Sequence, residues 1–460
     1  MSKSVSINPA TGETIREYPR ISKEKATNLI NRTRECFIGW SKTSFDQRAQ
    51  FMYKAAENLE AGKEQYAAFI SNEMGKNYSA SISEVEKCVW VLRFFADNAK
   101  DFLHKEIVKT EAQESYVTFN PLGVILAIMP WNFPFYQAIR FAAPALMAGN
   151  TGLLKHASNV QGCAEAIEGL FINAGFPQYV FTNLNVASEE IEWIIANKNV
   201  AAVTLTGSEN AGRSVAEIAG RNLKKCVLEL GGSDAYIVTD TADLDKAVKL
   251  CVKGRLQNNG QTCIAAKRFI VYENIYEAFV EKFTEAMKSA KMGEPFDENT
   301  FYGPMSSTGL RNELHQQVQK SVEQGAKLKC GGYIPEGRGT YYPATVLAEV
   351  RPGMIAFEEE LFGPVAAIIA AKDQSEAIEL ANNSSFGLGA AIITGDPQQG
   401  SKMAADNIEA GSVFVNSIVV SDPRLPFGGI KNSGFGRELS GYGIKEFVNI
   451  KTVWVQGNLA

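Results

Sequence analysis

The feature that most restricts the fold is an alternation of short apolar runs with helical segments, which begins near residue 122. Runs such as 124–129, 200–206 and 365–371 are mostly apolar along their whole length. A strand without a polar face must be covered on both sides, as in a parallel sheet between two layers of helices. The alternation pauses at 227–232 and then resumes, so the sequence predicts an α/β chain with two such units.

Two other patterns occur outside this alternation. Apolar side chains at helical spacing predict helices over 22–40, 46–72 and 84–99. Strand-like segments of mixed polarity lie near 106–120 and 445–456. Edge strands of this kind need to be covered, so we expect these two segments to pair with each other and with a partner subunit. The chain has 460 residues, a length that indicates about two or three domains.

The charge and the cysteine pattern exclude several classes of protein. The net charge is −5, and the sequence contains no basic stripe, so nucleic acid and an anionic membrane are not expected partners. No apolar run is long enough to span a bilayer, and the N-terminus has no secretory signal pattern. Seven scattered cysteines indicate reduced thiols in the cytoplasm. The three histidines lie apart from one another and from any cysteine pair, so no metal site is expected.

Cys263 is a candidate nucleophile. It follows the small, polar segment Gly260-Gln261-Thr262 and precedes an apolar run, which would place a thiol at a turn between packed segments. A free thiol has a pKa of about 8.5, so the site must lower that pKa or supply a base. The simpler alternative is a small buried hydrophobic residue, which is the usual environment of cysteine.

Three further motifs carry side chains suited to chemistry. Gly207 and Ser208 lie between a predicted strand and a helix, where backbone N–H groups can bind a phosphate. Asn132, in P-W-N-F-P after another strand, can donate a hydrogen bond to an oxyanion. Glu229 ends a strand among apolar neighbours, where its pKa would be raised to suit a base. The alternatives are an ordinary glycine turn, a proline-locked turn and an ion-paired structural acid.

Together these motifs resemble the NAD(P)-dependent aldehyde dehydrogenase superfamily. The resemblance runs from about residue 7 to the C-terminus and rests on six motifs in the order found in that family. They are P-W-N-F-P, T-G-S-x-x-x-G, L-E-L-G-G, G-Q-T-C, E-E-x-F-G-P-V and P-F-G-G-x-K-x-S-G-x-G-R-E. The resemblance is closest to the short bacterial succinate-semialdehyde dehydrogenase branch.

The resemblance implies a role for each matching residue. The catalytic residues are Cys263 as nucleophile, Glu229 as general base and Asn132 as oxyanion donor. The residues that bind NADP or NAD are Trp131, Lys155, Ser158, Gly207, Ser208, Glu360 and Phe362. The thiolate would add to an aldehyde, oxidation of the thiohemiacetal would give a thioester, and Glu229 would activate the water that releases the acid.

The resemblance also implies the domain organisation. We expect a Rossmann-like cofactor domain formed by 1–104 and 122–230, and an α/β catalytic domain at 231–432. Residues 105–121 and 444–460 would form a small β oligomerisation arm. The expected assembly is a homodimer or a dimer of dimers.

Departures from the family pattern bear on the cofactor. Many members have K-P-S-E where this chain has Lys155-His-Ala-Ser158, and the family's glutamate binds both ribose hydroxyls and repels a 2′-phosphate. Serine removes that repulsion, and Lys155 can attract the phosphate. We therefore expect both NADP and NAD to be accepted, with NADP preferred.

The substrate prediction rests on three positions. Arg140 matches an arginine that binds the substrate carboxylate in succinate-semialdehyde dehydrogenases, and Ser421 would add a polar contact. A second arginine of that group is Gln257 here, which changes the carboxylate site. The alternative for Arg140 is an exposed or ion-paired helix residue. The alternatives for the whole chain are an aliphatic or aromatic aldehyde dehydrogenase of broad specificity and a thiol acyl hydrolase or esterase.

Overall fold

The computed structural model describes residues 2–457. A β-hairpin and four helices come first. Their bounds are β1 (Lys3–Ile7), β2 (Thr14–Pro19), α1 (Lys23–Trp40), α2 (Phe45–Ala61), α3 (Lys63–Met74) and α4 (Tyr78–Phe102). The helix predicted over 46–72 is two helices that meet at Gly62, because the chain turns there. None of the helices in the described part of the chain has the length and apolar character that a membrane crossing requires.

The first α/β unit contains a six-stranded sheet. The elements of this stretch are β3 (Glu106–Ile107), β4 (Glu114–Pro121), β5 (Val124–Met129), α5 (Pro134–Met147), β6 (Thr151–His156), α6 (Gln161–Asn173), β7 (Phe181–Asn183), α7 (Ile191–Ala196), β8 (Val200–Thr206), α8 (Glu209–Arg221) and β9 (Lys225–Glu229). Strands β9, β8, β5, β6 and β7 are parallel neighbours in that order. The chain leaves β5 towards β6 and later returns to its other side as β8. The carboxyl ends of β5 and β8 therefore border a topological switch point, where α/β sheets bind ligands.

The second α/β unit contains a seven-stranded sheet. Its elements are β10 (Asp234–Val238), α9 (Leu244–Leu256), β11 (Ala266–Tyr272), α10 (Glu273–Ser289), α11 (Thr308–Glu323), β12 (Lys327–Cys330), β13 (Thr345–Ala348), α12 (Ile355–Glu358), β14 (Val365–Ala371), α13 (Gln374–Asn382), β15 (Phe386–Gly387), β16 (Gly389–Ile393), α14 (Pro397–Asp406) and β17 (Ser412–Val415). The strand order is β12-β13-β14-β11-β10-β16-β17, and only β12 runs antiparallel to its neighbour. The buried, apolar strands β10, β11, β14 and β16 form its centre.

The last elements return to the first unit and to the edge of the molecule. They are β18 (Ile430–Lys431), β19 (Gly434–Phe435), α15 (Ser440–Gly443) and β20 (Val448–Val455). β19 extends the first sheet by pairing with β9, although it begins 204 residues after residue 230, the predicted end of that unit. β20 pairs with β4 over its full length, and β4 also pairs with β3. The two strand-like segments outside the α/β alternation are therefore partners.

Two buried glutamates fix the helical layer on the first sheet. Glu84 of α4 accepts hydrogen bonds from the backbone N–H groups of Phe135 and Tyr136, both at 3.0 Å. Glu73 of α3 accepts from Gly162 and Cys163, both at 2.9 Å. These amides are at the N-termini of α5 and α6, where a negative charge is stabilising. α4 is thus held against α5, the helix that follows the P-W-N-F-P turn.

Candidate active site

A cavity of about 490 Å³ lies between the two α/β units, beside the switch point of the first sheet. Predicted site residues from both units line it: Trp131, Asn132, Gly207, Ser208, Cys263, Glu360 and Phe362. Trp131 and Asn132 follow β5, and Gly207 and Ser208 follow β8, so the topology of the first sheet places them at one edge. The structure therefore brings together segments that are up to 231 residues apart, from Trp131 to Phe362.

The segment before Cys263 has an unusual backbone. Asn258, Asn259 and Gly260 are consecutive left-handed residues, with φ values of 53°, 57° and 74°. Asparagine tolerates this region better than other side chains because its short amide can bond locally. The Asn258 amide donates to the carbonyl oxygens of Asn132 at 2.8 Å and of Gln261 at 3.0 Å. The turn is thus tied to the P-W-N-F-P loop.

Gly260 is required by close packing as well as by its φ angle. A Cβ at this position would collide with the backbone carbonyl of Gly363. The Gly260 carbonyl accepts from the guanidinium of buried Arg255 at 2.6 Å, and Arg255 also donates to the Val365 carbonyl at 3.1 Å. The cysteine segment and the E-E-x-F-G-P-V motif are therefore held against each other. Across the cavity, the rings of Trp131 and Phe362 meet edge to face at 5.8 Å.

Asn132 presents its amide beside the cysteine segment. Its Nδ2 donates to the Gln261 carbonyl at 2.9 Å, and its Oδ1 accepts from Gln137 Nε2 at 3.1 Å. An asparagine amide has two N–H groups, and these bonds use one of them. The orientation of the amide is therefore fixed while one donor stays free to bind an oxygen in the cavity.

The thiol of Cys263 is half-buried, and its surroundings disfavour the thiolate. Burial raises the pKa of Cys263 to about 12, while the positive charges of Lys267 and Arg140 act in the opposite direction. The thiol is therefore protonated at neutral pH in this structure. A base must take its proton before Cys263 can attack a carbonyl carbon.

Glu229 ends β9 and is buried. Neither of its carboxylate oxygens makes a hydrogen bond within residues 2–457. Burial, and then repulsion by Glu438, raise the pKa of Glu229 well above its usual value. Glu229 is not one of the residues that line the cavity.

The predicted substrate residues are placed differently from the cofactor residues, and none of them lines the large cavity. Arg140 is buried, its Nε forms an ion pair with Glu438, and its Nη2 donates to Thr206 at 3.5 Å. This is the ion-paired helix residue of the alternative interpretation, and binding of a substrate carboxylate by Arg140 stays a prediction. Ser421 contacts the Tyr136 hydroxyl at 2.7 Å. Gln257 donates to two backbone carbonyls at 3.3 Å.

The two residues predicted to bind the adenosine end of the cofactor lie on the next strand of the first sheet and just after it. Lys155 is the fifth residue of β6 and is half-buried, and Ser158 follows the strand and is exposed. Burial, and then the charge of Arg20, lower the pKa of Lys155. Because β6 is parallel to β5, both residues lie at the same edge of the sheet as Trp131.

Comparison with known proteins identifies the family. The sequence profile of the aldehyde dehydrogenase family matches residues 2–453. The chain belongs to the aldehyde dehydrogenase family. It is 48% identical over 449 residues to a probable NADP(+) succinate-semialdehyde dehydrogenase of Synechocystis sp., covering 98% of this chain and 99% of that one. It is 49% identical over 453 residues to the NADP(+) succinate-semialdehyde dehydrogenase of Mycolicibacterium paratuberculosis, covering 98% and 96%.

A solved structure shows the same fold. The succinic semialdehyde dehydrogenase of Streptococcus pyogenes in complex with NADP+ superimposes with a TM-score of 0.96 and 37% identity, covering 99% of this aldehyde dehydrogenase and 100% of the other chain. The predicted family, α/β fold and enzyme class, an NAD(P)-dependent oxidoreductase acting on an aldehyde, are therefore confirmed.

One residue of this aldehyde dehydrogenase site was missed by the sequence analysis. Lys267, at the start of β11, is fully buried, and its Nζ donates to the carbonyl oxygens of Thr262 at 2.8 Å and of Cys263. It also pairs with Glu360 Oε1 at 3.1 Å, an oxygen that accepts from the Gly232 N–H at 3.0 Å. The sequence did contain a feature that could have indicated Lys267: a charged residue at the start of an apolar strand, four positions after the cysteine.

Proposed function

We propose that this aldehyde dehydrogenase oxidises succinate semialdehyde to succinate with NADP or NAD, and that NADP is preferred. The observation that carries the reaction is the meeting of Cys263, Asn132 and the N-terminus of α8 in one cavity. The substrate is supported by the names of the two relatives that match almost the whole chain at 48% and 49% identity.

Each of the three catalytic residues has one task in this proposal. Cys263 forms a thiohemiacetal with the aldehyde, and its thiol proton passes to a base. The free N–H of the Asn132 amide and the backbone N–H of Cys263 stabilise the oxyanion. Glu229 takes a proton from the water that hydrolyses the thioester. Its raised pKa makes the ionised carboxylate a stronger base.

The chain's own residues fit a dinucleotide. The 13-residue helix α8 begins at the cavity, where Gly207 and Ser208 offer backbone N–H groups to a pyrophosphate. The proposed binding residues are Trp131, Lys155, Ser158, Gly207, Ser208, Glu360 and Phe362. When bound, the nicotinamide accepts the electrons that oxidation of the aldehyde releases. Lys267 holds Glu360 and the Cys263 carbonyl, and so fixes the cofactor side against the nucleophile.

The NADP preference rests on the end of β6. Ser158 leaves no negative charge at the position where many family members have glutamate, and Lys155 supplies a positive charge. Both features favour a ribose that carries a 2′-phosphate. The NADP(+) relatives and the NADP+ complex of the S. pyogenes enzyme support the same preference.

For the substrate carboxylate we propose Arg140, Gln257 and Ser421 as nearby polar groups. Arg140 lies on the same helix as Gln137, which lines the cavity beside Cys263. Because Glu438 already balances the charge of Arg140, this arginine offers hydrogen-bond donors rather than a net charge.

We further propose the domain division and assembly that the family resemblance implies. The units are 1–104 with 122–230, 231–432, and an arm formed by 105–121 and 444–460. In the arm, Ile107, Ile450 and Trp454 are 65%, 61% and 52% exposed, which favours cover by a second copy. A homodimer or a dimer of dimers is expected by light scattering, and a monomer would contradict it. Seven free thiols favour the reducing cytoplasm.

The test is an absorbance assay for cofactor reduction with the purified protein. Succinate semialdehyde and butanal, an uncharged aldehyde of the same length, are each supplied with NADP and with NAD. We expect the highest kcat/KM for succinate semialdehyde with NADP, and no turnover by Cys263→Ala. Cys36→Ala, a change of a half-buried cysteine on α1, is the matched control and should keep full activity.

The alternatives predict different results. Equal kcat/KM for the two aldehydes would indicate a broad-specificity aldehyde dehydrogenase. A thiol acyl hydrolase would release acid from a thioester or ester without reducing any cofactor, and it would show no activity with either aldehyde.

A further inference from the structure

Lys87 of α4 lies next to the proposed substrate residues. Its side chain is half-buried, and its ammonium is 4.4 Å from the centre of the Tyr136 ring. Tyr136 is buried, and its hydroxyl contacts Ser421 at 2.7 Å. The Arg140 guanidinium lies 5.6 Å from the same ring centre. Lys87 and Arg140 thus both lie beside Tyr136, the residue that precedes Gln137, and Gln137 lines the Cys263 cavity.

The Lys87 ammonium has no direct carboxylate partner among the described residues, although Asp422 and Glu84 are near enough to raise its pKa. Within residues 2–457 its ammonium forms no ion pair and no hydrogen bond to another side chain. Asp422, in the loop that carries Ser421, is held instead by Arg424 through both oxygens, at 2.9 and 2.7 Å. Arg140 is paired with Glu438. Lys87 is therefore the cation beside Tyr136 that no direct ion pair among the described residues neutralises.

Gln257 cannot supply this charge. Its amide is neutral, and its Nε2 already donates to the carbonyls of Gly254 and Ile264. Of the two cations beside Tyr136, Arg140 is ion-paired with Glu438, whereas Lys87 has no ion pair in the part of the chain that the structure describes. A half-buried cation without an acid partner is costly to maintain, which is expected where an anionic ligand completes the pair.

We propose that Lys87 attracts and positions the carboxylate of the aldehyde substrate. This inference rests on the proposed function and extends it, because it assigns the specificity for an ω-carboxylated aldehyde to a residue of α4. Because Ser421 contacts the Tyr136 hydroxyl and Lys87 lies beside the Tyr136 ring, the carboxylate would lie near Ser421 and the Lys87 ammonium. The aldehyde end would then extend towards Gln137 and Cys263.

The ionisation of Lys87 supplies a second readout. Burial, and then the charge of Arg140, lower the pKa of Lys87 to about 8. The other groups that face it are Cys88, Asp422 and Glu84, which act in the opposite direction, and the ring of Tyr136. As the pH rises through 8, Lys87 loses its charge. KM for an anionic aldehyde should then rise, while KM for butanal should not.

The experiment compares Lys87→Met, Lys87→Arg and Lys100→Met in the complete enzyme. Lys100 is on the same helix, 65% exposed and paired with Asp46, so K100M is a matched control. We expect K87M to raise KM for succinate semialdehyde about 10-fold or more, as loss of one charge-assisted contact does. Its kcat, and its KM for butanal, should change less than about 2-fold. K87R should keep a low KM for succinate semialdehyde, and this KM should not rise above pH 8, because arginine stays charged.

The outcomes separate the two proposals. An unchanged KM in K87M, or equal losses with both aldehydes, would overturn the role of Lys87 while leaving the proposed function intact. A wild-type enzyme that oxidises butanal but not succinate semialdehyde would overturn the proposed substrate, and the role of Lys87 with it. If K87M does not fold, K87R decides: an alkaline rise of KM at the same pH as in the wild type would contradict the inference.

Discussion

Replacement of Lys267 by methionine is the sharpest test of how the site is held together. The Lys267 side chain is 1% exposed and links three groups: the carbonyls of Thr262 and Cys263 and the carboxylate of Glu360. Methionine has nearly the same length and fills the same space, so the change removes the charge and the hydrogen bonds while keeping most of the packing.

The size of the effect follows from these contacts. Breaking a buried ion pair costs about 3 to 5 kcal/mol, and Glu360, at 19% exposed, regains part of this through water. An unpaired buried carbonyl adds about 1 to 3 kcal/mol. If the transition state loses about 3 kcal/mol of stabilisation, kcat/KM falls roughly 100-fold. Lys267 also lowers the pKa of Cys263, so the thiol of Lys267→Met should ionise at higher pH.

Three measurements check this reasoning: kcat/KM, the dissociation constant of the cofactor, and the rate of Cys263 alkylation by iodoacetamide between pH 7 and 10. We expect weaker cofactor binding, because Glu360 loses its anchor, and slower alkylation at each pH. Lys246→Met, which changes an 84% exposed lysine, is the control. If Lys267→Met binds cofactor and reacts with iodoacetamide within about 2-fold of that control, Lys267 does not organise the site.

Three further changes have defined outcomes. Ser158→Glu should lower kcat/KM with NADP by about 10-fold or more relative to NAD, through repulsion of the 2′-phosphate, whereas Ser158→Ala should not. Glu438→Gln leaves Arg140 unpaired and removes a repulsion that raises the pKa of Glu229, so Tm should fall and the pH profile of kcat should move to lower pH. Burial lowers the pKa of His156 from 6.5 to about 4, so stability from this neutral histidine is fully present above pH 6.5 and is lost as the pH falls towards 4. This contribution to the free energy of unfolding amounts to about 3 kcal/mol. His156→Gln should therefore show a smaller drop in Tm between pH 7 and pH 4.5 than the wild type.

The α/β architecture could be predicted because it depends on local pattern. The apolar runs at 124–129, 200–206 and 365–371 are β5, β8 and β14. The residues expected at the cofactor cleft could be named because the order of six motifs resembles the aldehyde dehydrogenase family, and the strand-to-helix position of Gly207 and Ser208 indicated a phosphate site independently. The two strand-like segments could be paired because neither fits the α/β alternation.

Other features depend on contacts between distant residues, which a local pattern does not contain. The pairing of β19 with β9 is decided by the path of the chain after the second sheet, not by the two residues of β19. The left-handed turn at Asn258 and Asn259 is stable because their amides find carbonyl acceptors on other segments.

The clearest division between sequence and structure concerns charge. The sequence by itself determined that Cys263, Asn132 and Glu229 occur in segments suited to catalysis, and that Arg140 could meet a carboxylate. Only the tertiary structure decided that Arg140 already has a carboxylate partner, Glu438, while Lys87 has no ion pair within residues 2–457. The reason is physical: whether a buried cation is neutralised depends on which side chains the fold places within a few ångströms of it, and those partners can come from anywhere in the chain.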